Sequence, residues 1–300
     1  MSIVLKKDFR ILETLHDIDA TEFEIQFRIT DACNLNCEYC AWNNGPQYAT
    51  KDILECIDVL QKFIKKINKS VTFYFHGGEP STHKDLDLIC KTIKAKIPEA
   101  IIEVQTNLVK DISTIKEIDY FSISFHYNEL IRTNHLDLFI ENFKKINPKI
   151  INNLDIMLEN VDDSEKYYKI IKSLIKNSNT SEMIYGYYGG YTSVHMDFYN
   201  KNNKNVQKFI IDGNIYNTND LFSKGLDCRG SKCYSPKSQL YINGNGDAYK
   251  CATHLTEDST NPYINILKEP EKFIKSSRFI NIPVTCNWSN CIDFFVERHI

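Results

Sequence analysis

The sequence predicts an α/β fold: a partial (β/α)6 barrel of the TIM type, followed by a small C-terminal module of β-hairpins and helix. Strand-like and helix-like apolar patterns alternate about six times between residues 22 and 190, which implies right-handed crossovers and a parallel sheet. Six units are fewer than the eight of a closed barrel, so the sheet should stay open. Near Tyr199 the texture changes to a polar run, Asn200 to Asn205, and then to short strands and glycine turns. The expected division is residues 1–21 as an N-terminal extension, 22–199 as the barrel and 200–300 as the module.

Each element has its own signal. Glu22 to Thr30 alternates apolar and polar residues, the pattern of a strand. Asp52 to Asn68 aligns Ile53, Ile57, Leu60, Ile64 and Ile67 on one helical stripe, with Cys56 beside it as a small core residue. A second strand, Val71 to Phe75, runs into His76-Gly77-Gly78-Glu79-Pro80. A helix from Lys84 to Ile97 follows, with Cys90 again in the core. The third strand, Ile101 to Val104, ends in Gln105-Thr106-Asn107, and the fourth, Tyr120 to Phe125, ends in His126. A helix over Leu136 to Ile146, a strand over Leu154 to Leu158, a helix over Ser164 to Lys176 and a strand over Met183 to Tyr188 complete the series. Reactive residues of such barrels sit at the C-terminal ends of the strands. That rule gathers the segment after the first strand, His76 to Pro80, Asn107, Ser124 with His126, and Tyr187 with Tyr188 at one mouth.

Composition narrows the function. A chain of 300 residues with 42% hydrophobic and 25% charged residues is an ordinary soluble composition, and the net charge of −3 gives no basic field for a nucleic acid. No apolar run approaches the length of a membrane span, and the opening residues lack a signal peptide's apolar core. A cytoplasmic location is therefore expected, with neither nucleic acid nor membrane as partner. Ten cysteines in a reducing compartment point to metal or redox chemistry rather than to disulfides.

The segment after the first strand is Cys33-Asn34-Leu35-Asn36-Cys37-Glu38-Tyr39-Cys40. Three thiolates this close can wrap one face of a metal cluster. A cubane iron–sulfur cluster is usually held by four cysteines, so three leave one iron open to a small molecule. A zinc site prefers four closed ligands in paired spacing and fits the run poorly.

CxxxCxxC after the first strand, Gly77-Gly78-Glu79-Pro80 after the second, and the partial-barrel rhythm together resemble the radical S-adenosylmethionine (SAM) superfamily, over residues 23 to 190. The resemblance implies that Cys33, Cys37 and Cys40 hold a [4Fe–4S] cluster whose open iron binds SAM. Tyr39 matches the position lying against the adenine, and Gly77, Gly78, Glu79 and Pro80 match the loop receiving the methionine ammonium. Asn107 and Ser124 match positions that touch ribose or carboxylate, and Arg132 is a partner for the SAM carboxylate. The implied chemistry is reductive cleavage of SAM to a 5′-deoxyadenosyl radical, with an electron from a reductant such as flavodoxin or ferredoxin.

The C-terminal module carries a hairpin signal from Gln239 to Cys251 with Asn243-Gly244 at its turn. Cys233, Gly246 and Cys251 resemble the opening of SPASM and twitch extensions, which carry auxiliary clusters. Cys233, Cys251, Cys286 and Cys291 then form the expected ligand set of a second [4Fe–4S] cluster, with a structural four-cysteine zinc site as the alternative. Cys228 is left over as an inert thiol, a substitute ligand or a hydrogen-atom donor. His126 and Tyr187 are candidate catalytic groups at the mouth, although either residue is as readily structural there.

The family relation implies an oxidoreductase that dehydrogenates a sugar- or aminocyclitol-like small molecule, with the auxiliary cluster as electron acceptor. The competing expectations are oxidation, cross-linking or epimerisation of a ribosomal peptide or protein, and a non-catalytic iron–sulfur protein. The roughly 21 residues before the first strand leave no room for a winged peptide-binding domain, which weighs toward the small molecule.

Overall fold

The computed structural model describes residues 22–38, 40, 45–158, 239–251 and 260–276. Shorter described stretches lie at 3–4, 9–11, 169–170, 173, 181–186, 208–211, 214–217, 226–227, 229, 232–233, 254 and 284–285. The main elements are β1 (Glu22–Thr30), α1 (Thr50–Ile67), β2 (Ser70–Gly77), α2 (Leu86–Lys96), β3 (Ile101–Thr106), β4 (Tyr120–Phe125), α3 (Tyr127–Arg132), α4 (Leu136–Lys145), β5 (Ile151–Leu158) and β6 (Ser181–Gly186). They are followed by β7 (Gln239–Asn243), β8 (Asp247–Tyr249), β9 (Ile264–Asn265) and α5 (Pro270–Lys275). Among the described residues no helix is long and apolar enough to cross a membrane.

The chain divides into two compact units. One comprises Phe27–Thr50 and Phe73–Lys204; the other comprises Met1–Gln26, Lys51–Thr72 and Asn205–Ile300. In the first, the strands run in the order β1-β2-β3-β4-β5-β6. The last four pair in parallel, with Val104 opposite Phe121, Ile123 opposite Leu154 and Ile156 opposite Ile184. With helices α2 and α4 between successive strands and β6 at the free end of the order, this is the open, partial TIM-type barrel that the alternation predicts.

Alternation along each strand sorts the two faces. Ile102, Val104, Phe121, Ile123, Phe125, Leu154 and Ile156 are fully buried on one side. There Phe125 packs on Phe139 of α4 with ring centroids 4.9 Å apart. Residues Glu103, Gln105, Ser122, Ser124 and Asp155 occupy the other side, the barrel's interior face.

Helix α1, from Lys51 onward, belongs to the second unit. The buried stripe of α1 (Ile53, Cys56, Ile57, Leu60, Phe63 and Ile64) follows the expected spacing with Phe63 added, while Ile67, expected on the stripe, is only half-buried at the helix end. Phe63 stacks on Phe273 of α5 at 4.6 Å and tilts against Phe23 at 5.7 Å. Residues 9–11, which carry no clear signal in the sequence, pair antiparallel with Lys208–Ile211, and that strand forms a hairpin with Asn214–Asn217. The β7–β8 hairpin closes through Gly246 N–H donating to the Asn243 carbonyl at 2.9 Å. The left-handed residue is Gly246 (φ +87°), which closes the turn that Asn243-Gly244 marks in the sequence. A side chain at Gly246 would come within 2.7 Å of Leu267 Cγ.

Other departures are local. The six-residue helix α3 is too short for a periodic signal. β5 begins three residues earlier than expected, and β6 spans Ser181–Gly186 rather than Met183 to Tyr188. Most of the helix expected over residues 164–176 lies outside the described residues.

Candidate active site

The site grows from the end of β1. Beyond Thr30 the chain turns into the cysteine loop, with Ala32 N–H on Thr30 Oγ1 at 3.0 Å and Cys40 N–H on the Cys37 carbonyl at 3.1 Å. Leu35 is buried and anchors the loop from within. Cys33 and Cys37 are half-buried and Cys40 is exposed; all three are thiols outside any disulfide, as are the core residues Cys56 and Cys90.

The Gly-Gly-Glu-Pro segment after β2 lies directly against this loop. Gly78 N–H donates to the Thr30 carbonyl at 2.9 Å and Glu79 N–H to the Ala32 carbonyl at 2.8 Å. Backbone meets backbone with no space for a side chain. A Cβ at Gly77 (φ +121°) would sit 2.5 Å from Thr30 O, and one at Gly78 would sit 2.2 Å from Ala32 O. The two glycines are required by this approach, and in Gly77 also by its left-handed backbone.

Glu79 then ties three segments together. Its carboxylate accepts from Ser81 N–H at 3.0 Å, Thr106 Oγ1–H at 2.8 Å and Asn107 N–H at 2.7 Å. Burial pushes its pKa up, against these donors, which pull it down. Asn107 carries the link back: its Nδ2 donates to Asn34 Oδ1 at 2.7 Å and lies 3.9 Å from Cys33 Sγ. Leu35 N–H also reaches Cys33 Sγ, at 3.4 Å. Burial first, and then the Glu79 and Cys40 charges, raise the Cys33 thiol to about 11 against the pull of the Leu35 bond. A bound metal must therefore displace its proton.

A second brace, absent from the sequence reading, is Glu129 of α3. It is buried, accepts from Asn36 N–H at 2.8 Å in the middle of the cysteine loop, and holds Arg132 through Nε at 2.8 Å and a second nitrogen at 2.6 Å. Arg132 and the loop amide pull its carboxyl below the usual range against the push of burial. The only sequence signal for it is the i,i+3 spacing of Glu129 and Arg132 on a short helix. Arg132, expected as a carboxylate partner for SAM, keeps an exposed side chain beside the Cys37 and Glu38 charges.

Ser124 is buried, and its hydroxyl accepts from Gln105 Nε2 at 3.4 Å. His126 is the residue before α3, and burial lowers its pKa to about 4, leaving it neutral at physiological pH. Tyr39, Tyr187, Cys228, Cys286 and Cys291 lie outside the described residues. The backbone of Cys233 is opposite Val284 in an antiparallel pair, and Cys286 follows two residues after Val284. Cys251 follows β8, and His254 N–H lies 3.3 Å from its Sγ.

Fold and site together define an open α/β barrel with a three-thiol mouth. The Radical SAM superfamily model matches residues 27–187, more than half of the chain, and the chain belongs to that superfamily. Membership implies a [4Fe–4S] cluster and SAM. Among curated proteins, a GTP 3',8-cyclase of Limosilactobacillus fermentum is 27% identical over 168 residues, covering 49% of this chain and 49% of the relative. A GTP 3',8-cyclase of Campylobacter curvus is 32% identical over 85 residues, covering 28% of this chain and 26% of the relative. The chain thus spans about half or less of these relatives. Among solved structures, anSMEcpe with bound AdoMet and the Cp18Cys peptide is 14% identical with a TM-score of 0.53, covering 86% of this chain and 81% of that one. That likeness concerns the fold.

The residues present fit the implied cluster. The donor set is three thiols on one loop, one of them receiving an N–H bond at sulfur. Among the described residues no three His, Cys, Asp or Glu side chains surround a single metal ion.

Proposed function

We propose that the protein is a radical SAM enzyme that oxidises a hydroxylated small molecule of carbohydrate or aminocyclitol type. Cys33, Cys37 and Cys40 hold the [4Fe–4S] cluster, and Tyr39, Gly77, Gly78, Glu79, Pro80, Asn107, Ser124 and Arg132 form the SAM site. The observation carrying the reading is the pair of backbone bonds from Gly78 and Glu79 to Thr30 and Ala32, which fuse the two motifs into one rigid mouth. When bound, the cluster and SAM supply the one-electron cleavage that yields a 5′-deoxyadenosyl radical, the agent that removes hydrogen from substrate.

The chain's own residues set the stage. The glycines bring backbone within reach of a ligand, and Glu79 fixes the ends of β2 and β3 relative to the cysteine loop through Ser81, Thr106 and Asn107. Glu129 holds the loop from its other side and orients Arg132. His126, neutral, is able to accept a proton from a substrate hydroxyl.

We assign residues 22–199 to the radical-generating barrel and 200–300 to an auxiliary module, in which Cys233, Cys251, Cys286 and Cys291 would hold a second [4Fe–4S] cluster, a group that would supply an electron acceptor for the oxidation. The pairing of the Cys233 strand with Val284–Thr285, just ahead of Cys286, supports that ligand set. The test is anaerobic reconstitution followed by dithionite and SAM. Formation of 5′-deoxyadenosine, abolished in Cys33→Ala, is expected, together with about eight iron atoms per chain for two cubanes. No 5′-deoxyadenosine sinks the enzyme reading, and about four iron atoms sinks the auxiliary cluster.

A further inference from the structure

The barrel's interior face holds one polar layer of which the proposed chemistry uses Ser124 alone, leaving Gln105 and Asp155 without a role. Register places Ser124 opposite Asp155, and Gln105 opposite Ser122, on the adjoining strands β3, β4 and β5. Gln105 Nε2 donates to Ser124 Oγ at 3.4 Å, and the Gln105 side chain also hydrogen-bonds the Asp155 carboxyl. One layer deeper, Glu103 is satisfied: it accepts from Ser122 Oγ–H and, at 3.1 Å on each oxygen, from Asn152 Nδ2.

Asp155 is not satisfied. It is only 9% exposed, and its Oδ1 has no hydrogen-bond partner. Leaving a buried acceptor unmet is costly, and native structures rarely tolerate it without a reason. Two such reasons apply here: a ligand completes the set, or the group is a buried structural acid. Position favours the ligand. The Gln105–Ser124–Asp155 layer lies immediately below the strand ends that carry Asn107 and His126. Inward side chains of such barrels stack in layers beneath a site built at the strand ends.

We propose that Gln105, Ser124 and Asp155 form the floor of the substrate pocket, with Asp155 Oδ1 accepting a hydrogen bond from a hydroxyl or amino group of a polyhydroxylated small molecule. The proposal rests on the reading of the barrel as a radical SAM site and assigns the part that reads the substrate. Burial, reinforced by the Glu103 charge, pushes the Asp155 carboxyl up to about 7. The group is therefore poised to bind as either acceptor or donor near neutral pH. A site built to hydrogen-bond a substrate rejects analogues lacking that group, because its own polar atoms are then left bare.

The experiment uses reconstituted, SAM-loaded holoenzyme and glucosamine, which bears both hydroxyl and amino groups, as the probe. Saturation-transfer NMR and titration calorimetry should detect binding to the wild type and at least tenfold weaker binding to Asp155→Asn and Asp155→Ala. The melting temperature of the Asn variant should be unchanged or raised, because the unmet charged oxygen is gone. A fall of several degrees in both variants would mark Asp155 as structural and overturn the proposal. Equal glucosamine binding by wild type and variants, or none by either, overturns it too. Cleavage of SAM by dithionite-reduced wild type without probe is measured alongside. Its absence would sink the radical reading and leave the binding result standing by itself.

Discussion

The two faces of the sheet in β3, β4 and β5 are made from alternate residues of the same strands, yet they obey different rules. On the outer face, Ile102, Val104, Phe121, Ile123, Phe125, Leu154 and Ile156 are at most 2% exposed. They form the apolar surface on which helices of a parallel sheet pack. On the inner face, Glu103, Ser122, Ser124 and Asp155 are almost as deeply buried but polar. A strand buried on both sides normally reads as a continuous apolar run. A polar face inside a barrel is expensive unless its groups are paired or await a ligand. The outer face therefore carries stability, while the inner face and the loops above it carry function.

The comparison breaks most visibly on the outer side. Phe125→Ala removes the ring that packs on Phe139 at 4.9 Å and on Tyr127 at 5.9 Å. It should cost about 3–5 kcal/mol of stability, read as a lower urea midpoint. The fraction that remains folded should still cleave SAM. A loss below about 1 kcal/mol would mean that the outer face is not the core it looks like. Next in size is Glu129→Ala, which strips the acceptor from Asn36 N–H. Hydrogen bonds to charged groups contribute about 1.5–3 kcal/mol, and here the loss falls on the cysteine loop. The variant should retain less iron after gel filtration and show a raised KM for SAM, while Glu129→Gln should recover part of both. Unchanged iron and KM would make Glu129 a helix feature with no hold on the loop.

The same contrast explains what could be read from sequence. The alternation of Glu22 to Thr30, the stripe of α1 and the order of strands and helices are local patterns, and they gave the barrel. Cys56 and Cys90 were separable from the loop cysteines because they sit on apolar helical stripes, and both are fully buried. The two glycines and Glu79 were recognisable as a motif, but their structural reason, backbone packing on Thr30 and Ala32, was not. Nor was Glu129, which meets Asn36 across 93 positions of chain, or the pairing of residues 9–11 with 209–211. Such partners are set by tertiary placement, for which a single sequence has no periodic signal. The serines of Tyr120 to Phe125 were visible as alternation, yet the pattern fits a solvent-facing side equally well. Only the fold shows that this side faces the barrel interior.

The smallest net effect, the pH slope of the wild type, is also the sharpest test of the inner face, because two of its groups push stability in opposite directions with pH. Asp155 has its pKa raised from 3.8 to about 7 by burial and the Glu103 charge. Between these values the folded chain keeps a proton that the unfolded chain has lost. Its contribution is therefore present below about pH 4 and is lost as pH rises toward 7. His126 has its pKa lowered from 6.5 to about 4 by burial, with the Glu129 charge opposing. Here the unfolded chain binds the extra proton, so stability is lost as pH falls from 6.5 toward 4. In the wild type the two slopes partly cancel over roughly pH 4 to 6.5. Asp155→Asn should unmask a stability that climbs with pH across that window, and His126→Asn should unmask one that declines up to about pH 7. Melting temperatures taken at half-unit pH steps distinguish the curves. Parallel profiles for wild type and both variants would mean that neither group is held in the buried state that the inner face requires.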